Sequence, residues 1–254
     1  MNSPGQQHAI VTRQVSKTFG GVKAVQGVDL DIAVGERRAL IGPNGAGKST
    51  LFNLITGEIP VDDGQVHVLG RDATHFSVRH RARLGLGRTY QISQLFLNLS
   101  VEQSLFLASV SGTGIAFNLL GRWRDRAEDR TWTHDVAEQV GLADHLYRTV
   151  GELAHGLQRQ LELGMALAMR PRLVMLDEPA AGLSPAERQT LVGLIRRMAP
   201  DITLILIEHD MDIVMELAQR ITVLHRGAVV TEGAPDEIRR DAMVQRIYLG
   251  EMHV

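Results

Sequence analysis

Val28, Leu30 and Ile32 alternate with Asp29 and Asp31, the two-residue period of a half-buried strand. Val66 and Val68 repeat that pattern around His67. Between these stretches Arg38-Ala39-Leu40-Ile41 reads as a short strand that runs straight into Gly42. The spacing then predicts a helix over 49–56, with Gly57 as its C-terminal stop. From about 93 to 164 the alternation disappears and charge-rich helical stretches such as 125–140 take over, which predicts a helical insertion. The last third returns to strands and helices in turn. Leu173-Val174-Met175-Leu176 is an unbroken apolar run, as a parallel strand covered on both faces requires. Ser184-Pro185-Ala186-Glu187 opens a helix, with Ser184 as N-cap, Pro185 in the first position and Glu187 closing a capping box. Leu191, Leu194, Ile195 and Met198 give that helix one apolar face. A second buried strand, Thr203–Ile207, a helix over 211–218 and a hairpin over 221–231 turning at Arg226-Gly227 complete the pattern. Buried strands alternating with helices predict an α/β fold around a mainly parallel sheet.

Composition narrows the function. The chain has 254 residues, 44% hydrophobic and 22% charged, an ordinary globular balance with ample length for a core. Lys+Arg 27 against Asp+Glu 29 leaves a net charge of -2, so no overall basic field collects nucleic acid. The absence of cysteine excludes disulfides, thiolate metal sites and a cysteine nucleophile. Residues 1–8 carry no basic region followed by an apolar core, so no secretory signal peptide is expected. The uncharged stretch 103–121 is only about half apolar, which suits a buried or interfacial helix followed by a glycine-rich bend better than a membrane span. A soluble chain is expected.

Chemistry enters at Gly42-Pro43-Asn44-Gly45-Ala46-Gly47-Lys48-Ser49-Thr50, which matches G-x-x-x-x-G-K-[ST] between a strand and a helix. Glycines there let backbone N–H groups converge on one concavity, and the helix N-terminus adds positive charge where phosphates sit. Lys48 would reach the β- and γ-phosphates of ATP, and Ser49 would ligate Mg²⁺. The 173–176 strand delivers Asp177 and Glu178 to the C-terminal edge of the sheet, where ligands bind in α/β folds. Asp177 is placed to hold Mg²⁺, and Glu178 to polarise an attacking water. His209 follows another buried strand at the same edge; a lone histidine is more often structural, but here it could bond the γ-phosphate and hold that water.

These residues, with Gln91 and the segment 153–160 in the same order and spacing, resemble the nucleotide-binding domain of an ABC transporter over about 8–250. The resemblance implies a P-loop NTPase (RecA-like) core with an antiparallel β subdomain and a helical insertion at about 93–164. It makes the phosphate loop Walker A, Asp177 Walker B, Glu178 the catalytic base and His209 the switch histidine. Gln91 becomes the glutamine that senses Mg²⁺ and the membrane partner, and Phe19 the aromatic that stacks on adenine. The family's LSGGQ signature reads Leu153-Ala154-His155-Gly156-Leu157 here, keeping the leucine and second glycine. In the family that helix N-terminus, at Gly156, meets the γ-phosphate held by the opposite subunit. The missing serine hydroxyl removes a bond of about 1–3 kcal/mol. Gly182-Leu183-Ser184-Pro185 departs from the family's usual alanine-leucine-aspartate.

The signature, with alanine in second place and a large residue in third, resembles that of the ATPases of branched-chain amino-acid importers. So do Asp177-Glu178-Pro179-Ala180-Ala181-Gly182-Leu183, Phe19-Gly20-Gly21-Val22-Lys23-Ala24-Val25 and the late Tyr248-Leu249-Gly250. Arg88-Thr89-Tyr90-Gln91 is more like their G-type than their F-type ATPase. The resemblance implies a second ABC ATPase as homo- or heterodimer partner, two membrane permease subunits, an extracellular or periplasmic substrate-binding protein and a place on the cytoplasmic face of the inner membrane. Importers of urea or short amides, lipid exporters and ABC clamps on DNA or ribosomes stay open as alternatives. The clamps usually carry two nucleotide domains, a long coiled coil or a basic segment, none of which is visible.

Overall fold

The computed structural model describes residues 7–89, 95–111 and 127–250. Strands β1 (His8–Phe19) and β2 (Val22–Ala33) form a hairpin, and β3 (Arg37–Ile41) leads into helix α1 (Lys48–Thr56). Then come β4 (Asp63–Val68), β5 (Arg71–Asp72), α2 (Val78–Leu84) and β6 (Leu86–Arg88). Helices α3 (Val101–Ser111), α4 (Ala127–Gln139) and α5 (His155–Ala168) follow, with short 3-10 turns between the last two. The chain closes with β7 (Leu173–Asp177), α6 (Pro185–Arg196), β8 (Thr203–Ile207), α7 (Met211–Leu217), β9 (Arg220–His225), β10 (Ala228–Gly233), α8 (Pro235–Arg240) and α9 (Ala242–Gly250).

Two sheets result. One is antiparallel, in the order β2-β1-β4-β5. The other runs β10-β9-β3-β8-β7-β6; its strands are parallel except β10, which returns along β9 as a hairpin. The α/β reading with a mainly parallel sheet therefore holds, and the period-2 geometry of its strands explains how the cores are shared. Leu173, Met175, Ile205 and Ile207 face α1, which lies buried between this sheet and the apolar side of the antiparallel one. Their neighbours Val174, Leu176, Leu204 and Leu206 face α5 and α6 on the opposite side. At the β3–β9 end, Ala39, Ile41, Ile221 and Val223 pack on α7, α8 and α9.

Local signals set the ends of the elements. Gly57 caps α1 with φ 82°, its N–H donating to the Asn53 carbonyl. Ser184 caps α6 in a complete capping box with Glu187, and Pro185 opens the helix. The helix at the start of 103–121 is α3, whereas the bend expected after it lies outside the described residues. Among the described residues no helix is long and apolar enough to cross a membrane.

One buried charge fixes α1 from behind. Arg81, on α2, is fully buried and donates to the carbonyls of Leu54, Ile55, Ala73, Thr74 and Phe76. Leu54 and Ile55 belong to the last turn of α1, whose carbonyls have no helical partner, so the guanidinium caps that end and meets the negative pole of the helix dipole. Burial pulls its pKa down to about 10, still far above neutrality.

Candidate functional site

The loop 42–47 joins β3 to α1 at the C-terminal edge of the parallel sheet. Gly47 is the N-cap of α1 with φ 99°, and a Cβ there would come within 2.3 Å of the Ala24 carbonyl oxygen, so only glycine serves. Among the described residues no side chain caps α1, and its first turn holds no acid, which leaves backbone donors and the positive dipole end for an anion. Lys48 is buried, its Nζ donating to the carbonyls of Gly42 (2.6 Å) and Pro43 (2.9 Å). Ser49 and Asn44 are exposed beside it.

A cavity of about 590 Å³ opens over this loop, lined by Asn44, Gly45, Ala46, Gly47, Lys48, Ser49 and Thr50 and by Glu178. Its far wall comes from Val22, Lys23, Ala24 and Gln26 of β2 and from Arg226 of the β9–β10 turn. Phe19 ends β1 close by, 48% exposed and 5.6 Å from the Nζ of Lys17, which itself bonds Asp62 at 2.6 Å. Gly42 and Pro43 lie buried behind the loop.

The carboxylates sit where the strand predicts. Asp177 ends β7 in the interior, and its Oδ1 is buried without a hydrogen-bond partner among the described residues. Burial raises its pKa, with the neighbouring Glu178 charge adding to the shift and Arg88 and Lys48 opposing it. A carboxylate kept short of donors is one that a cation would satisfy, so the donor set of Asp177, with Ser49 close to the phosphate loop, fits Mg²⁺. Glu178 adopts φ 46°, a left-handed conformation that a glutamate enters only at a cost in strain. That turn aims it into the cavity instead of along the strand. The Nδ1 of His209 lies 3.8 Å from its Oε1, and the histidine side chain is 66% exposed. Glu208, one residue earlier, is fully buried; its Oε1 accepts the Ala180 N–H, and burial pushes its pKa up.

The site residues therefore fall into two groups. Lys48, Ser49, Thr50 and Glu178 share one cavity, with His209 against Glu178 and Asp177 just beneath. Gly156 stands apart as the second residue of α5, where its N–H donates to the Glu187 carboxylate at 3.2 Å. That carboxylate also accepts from Ser184, and these bonds hold its pKa below the usual glutamate range. Gln91 lies outside the described residues. Sequence reasoning missed Arg226, Glu187 and Arg88. Arg88 donates to Thr56 and Asn53 of α1, tying β6 to the phosphate-loop helix.

The family model for ABC transporters matches residues 25–181. The chain belongs to the ABC transporter family. As an ABC ATP-binding protein it is an ATPase coupled to transport, with an ABC cassette fold. It is 37% identical over 241 residues to the high-affinity branched-chain amino acid transport ATP-binding protein BraF of Pseudomonas aeruginosa, covering 92% of this chain and 94% of that one. The LivG protein of the same description from Escherichia coli K12 is 38% identical over 244 residues, again across 92% and 94%. Among solved structures, an ATP-binding cassette of an ABC transporter in its ADP conformation superposes on this ABC ATPase with a TM-score of 0.83. That cassette is 29% identical, and the match covers 96% of this chain and 99% of that one.

Proposed function

We propose that this ABC ATPase powers the uptake of branched-chain amino acids as the nucleotide-hydrolysing subunit of an importer. The observation that carries this reading is the 37% and 38% identity, over nearly the full length, to BraF and LivG, ATP-binding proteins of branched-chain amino acid transport. The site supports the chemistry. Lys48 exchanges its two carbonyl partners for the β- and γ-phosphates of ATP, while the open N-terminus of α1 receives the same anion. Glu178 polarises the attacking water and His209 holds it. Asp177, Ser49 and Gln91 would hold Mg²⁺, which when bound neutralises charge developing on the phosphate oxygens.

Two cassettes dock head to tail, so that the Gly156 segment of each completes the ATP site of the other, in a homodimer or with a related ATPase. Two permease subunits and a substrate-binding protein make up the rest of the importer, with the cassettes on the cytoplasmic face of the inner membrane. An apolar groove of about 360 Å³ supports docking to the permease: Leu95, Phe96, Leu107, Met165 and Met169 line it beside Arg88. Phe96 and Leu97 are 55% and 54% exposed, an apolar patch of the kind partners cover.

The test is uptake of labelled leucine, isoleucine, valine and urea by source cells carrying Lys48→Ala. Loss confined to the three amino acids is the expected result. Loss of urea uptake alone would transfer the assignment to a urea importer, and unchanged uptake of all four would remove the importer role.

A further inference from the structure

We propose that Arg226 is a nucleotide-binding residue, its guanidinium contacting the phosphate chain from the hairpin side of the cavity. Three observations converge on it. First, Arg226 lines the same cavity as the phosphate loop, together with Lys23. Neither side chain pairs with a carboxylate among the described residues, so Lys23, Lys48 and Arg226 face a single lining acid, Glu178. The cavity is short of negative charge, as a site for a polyphosphate must be.

Second, Arg226 occupies a backbone position that does not suit it. It has φ 48° and Gly227 has φ 80°, the paired left-handed conformation of a two-residue hairpin turn. Asn-Gly or Gly-Gly satisfies such a turn without strain, and arginine gains nothing locally from being there. The strained backbone therefore sits where it carries the Arg226 side chain to the cavity wall.

Third, the turn cannot retreat. The Gly227 N–H donates to the Ala46 carbonyl of the phosphate loop at 3.0 Å, and the Gln26 N–H donates to the Gly227 carbonyl at 2.8 Å. The Gln26 side-chain amide donates to the Arg226 carbonyl at 2.7 Å. Arg226 is thus mounted on the same rigid frame as Lys48, although 178 positions separate them in the chain.

The proposal rests on reading the cavity as the ATP site, and the experiment separates the two. Mg-ATP, ADP and AMP are titrated calorimetrically into the full chain and into its Arg226→Asn, Arg226→Lys and Lys48→Ala variants. Arg226→Asn raises the Kd for ATP about five- to twentyfold, the range of a partly exposed charge-assisted bond, and the factor shrinks from ATP to AMP. Its Tm holds or rises, because asparagine suits the turn better than arginine. Arg226→Lys keeps most of the affinity. An unchanged Kd with a raised Tm overturns the proposal, as does an equal loss for all three nucleotides or a lysine variant as weak as the asparagine one. Should Lys48→Ala bind ATP like the parent, the nucleotide reading of the cavity falls and the proposal with it. Should Lys48→Ala lose ATP while Arg226→Asn does not, only the role of Arg226 falls.

Discussion

Glu178 shows how backbone and chemistry meet in one residue. Extended backbone would have continued β7 and sent consecutive side chains to opposite faces; the left-handed turn instead puts Asp177 inside the protein and Glu178 in the cavity against His209. The two acids consequently differ in kind, one buried and short of donors, the other partly open to water. Glu178→Gln keeps the size of the side chain but removes the carboxylate proposed as the base. Single-turnover assays are expected to show hydrolysis slowed at least about a hundredfold, with ATP still bound. Hydrolysis at the parent rate would take Glu178 out of the reaction. Both acids were legible in the sequence, because an apolar run ending in two carboxylates is a local pattern. The wall facing them was not. Arg226 comes to the cavity through a hairpin at the other end of the chain, and its signal was a basic residue where the turn chemistry asks for asparagine. Phe19, expected to stack on the base, pairs with Val22 at the end of the β1–β2 hairpin, and Val22, Lys23 and Ala24 line the cavity.

At the scale of elements, α1 is the part on which the others depend. Its N-terminus forms the phosphate loop, its body is buried between two sheets, and its C-terminus is held by Arg81 and by Arg88. Arg81→Met fills similar volume but leaves the buried carbonyls of Leu54 and Ile55 without their donor. Urea unfolding should show a loss of about 3 kcal/mol or more, the cost of orphaning several buried acceptors. A loss below about 0.5 kcal/mol would mean that water replaces the guanidinium. Strands and capped helices could be read from pattern because period and cap residues are local facts. Arg81 could not, since all its partners are backbone carbonyls, which leave no trace in side-chain identity. The same holds for Glu187: its capping box is written in the sequence, but its bond to Gly156 depends on how α5 and α6 pack.

Across the whole molecule, the cavity over the phosphate loop and the apolar groove share one connection. Arg88 lines the groove and bonds α1, so one side chain borders both the groove and the helix that follows the phosphate loop. Phe96→Asp places a charge in the exposed apolar patch. The fraction of the chain sedimenting with source-cell membranes is expected to fall at least about threefold, as loss of an aromatic anchor that a partner would bury implies. An unchanged fraction would move the permease contact elsewhere.

The placement of the lysines has a practical result. The chain contains only Lys17, Lys23 and Lys48. Lys17 is clasped by Asp62, and Lys48 is buried beneath its own loop carbonyls. Lys23 is left as the side-chain amine open to acylating reagents, at the rim of the nucleotide cavity. Amine-reactive labelling therefore places a probe at Lys23 beside the ligand, in addition to any at the α-amine, and a bound nucleotide would shield that lysine from modification.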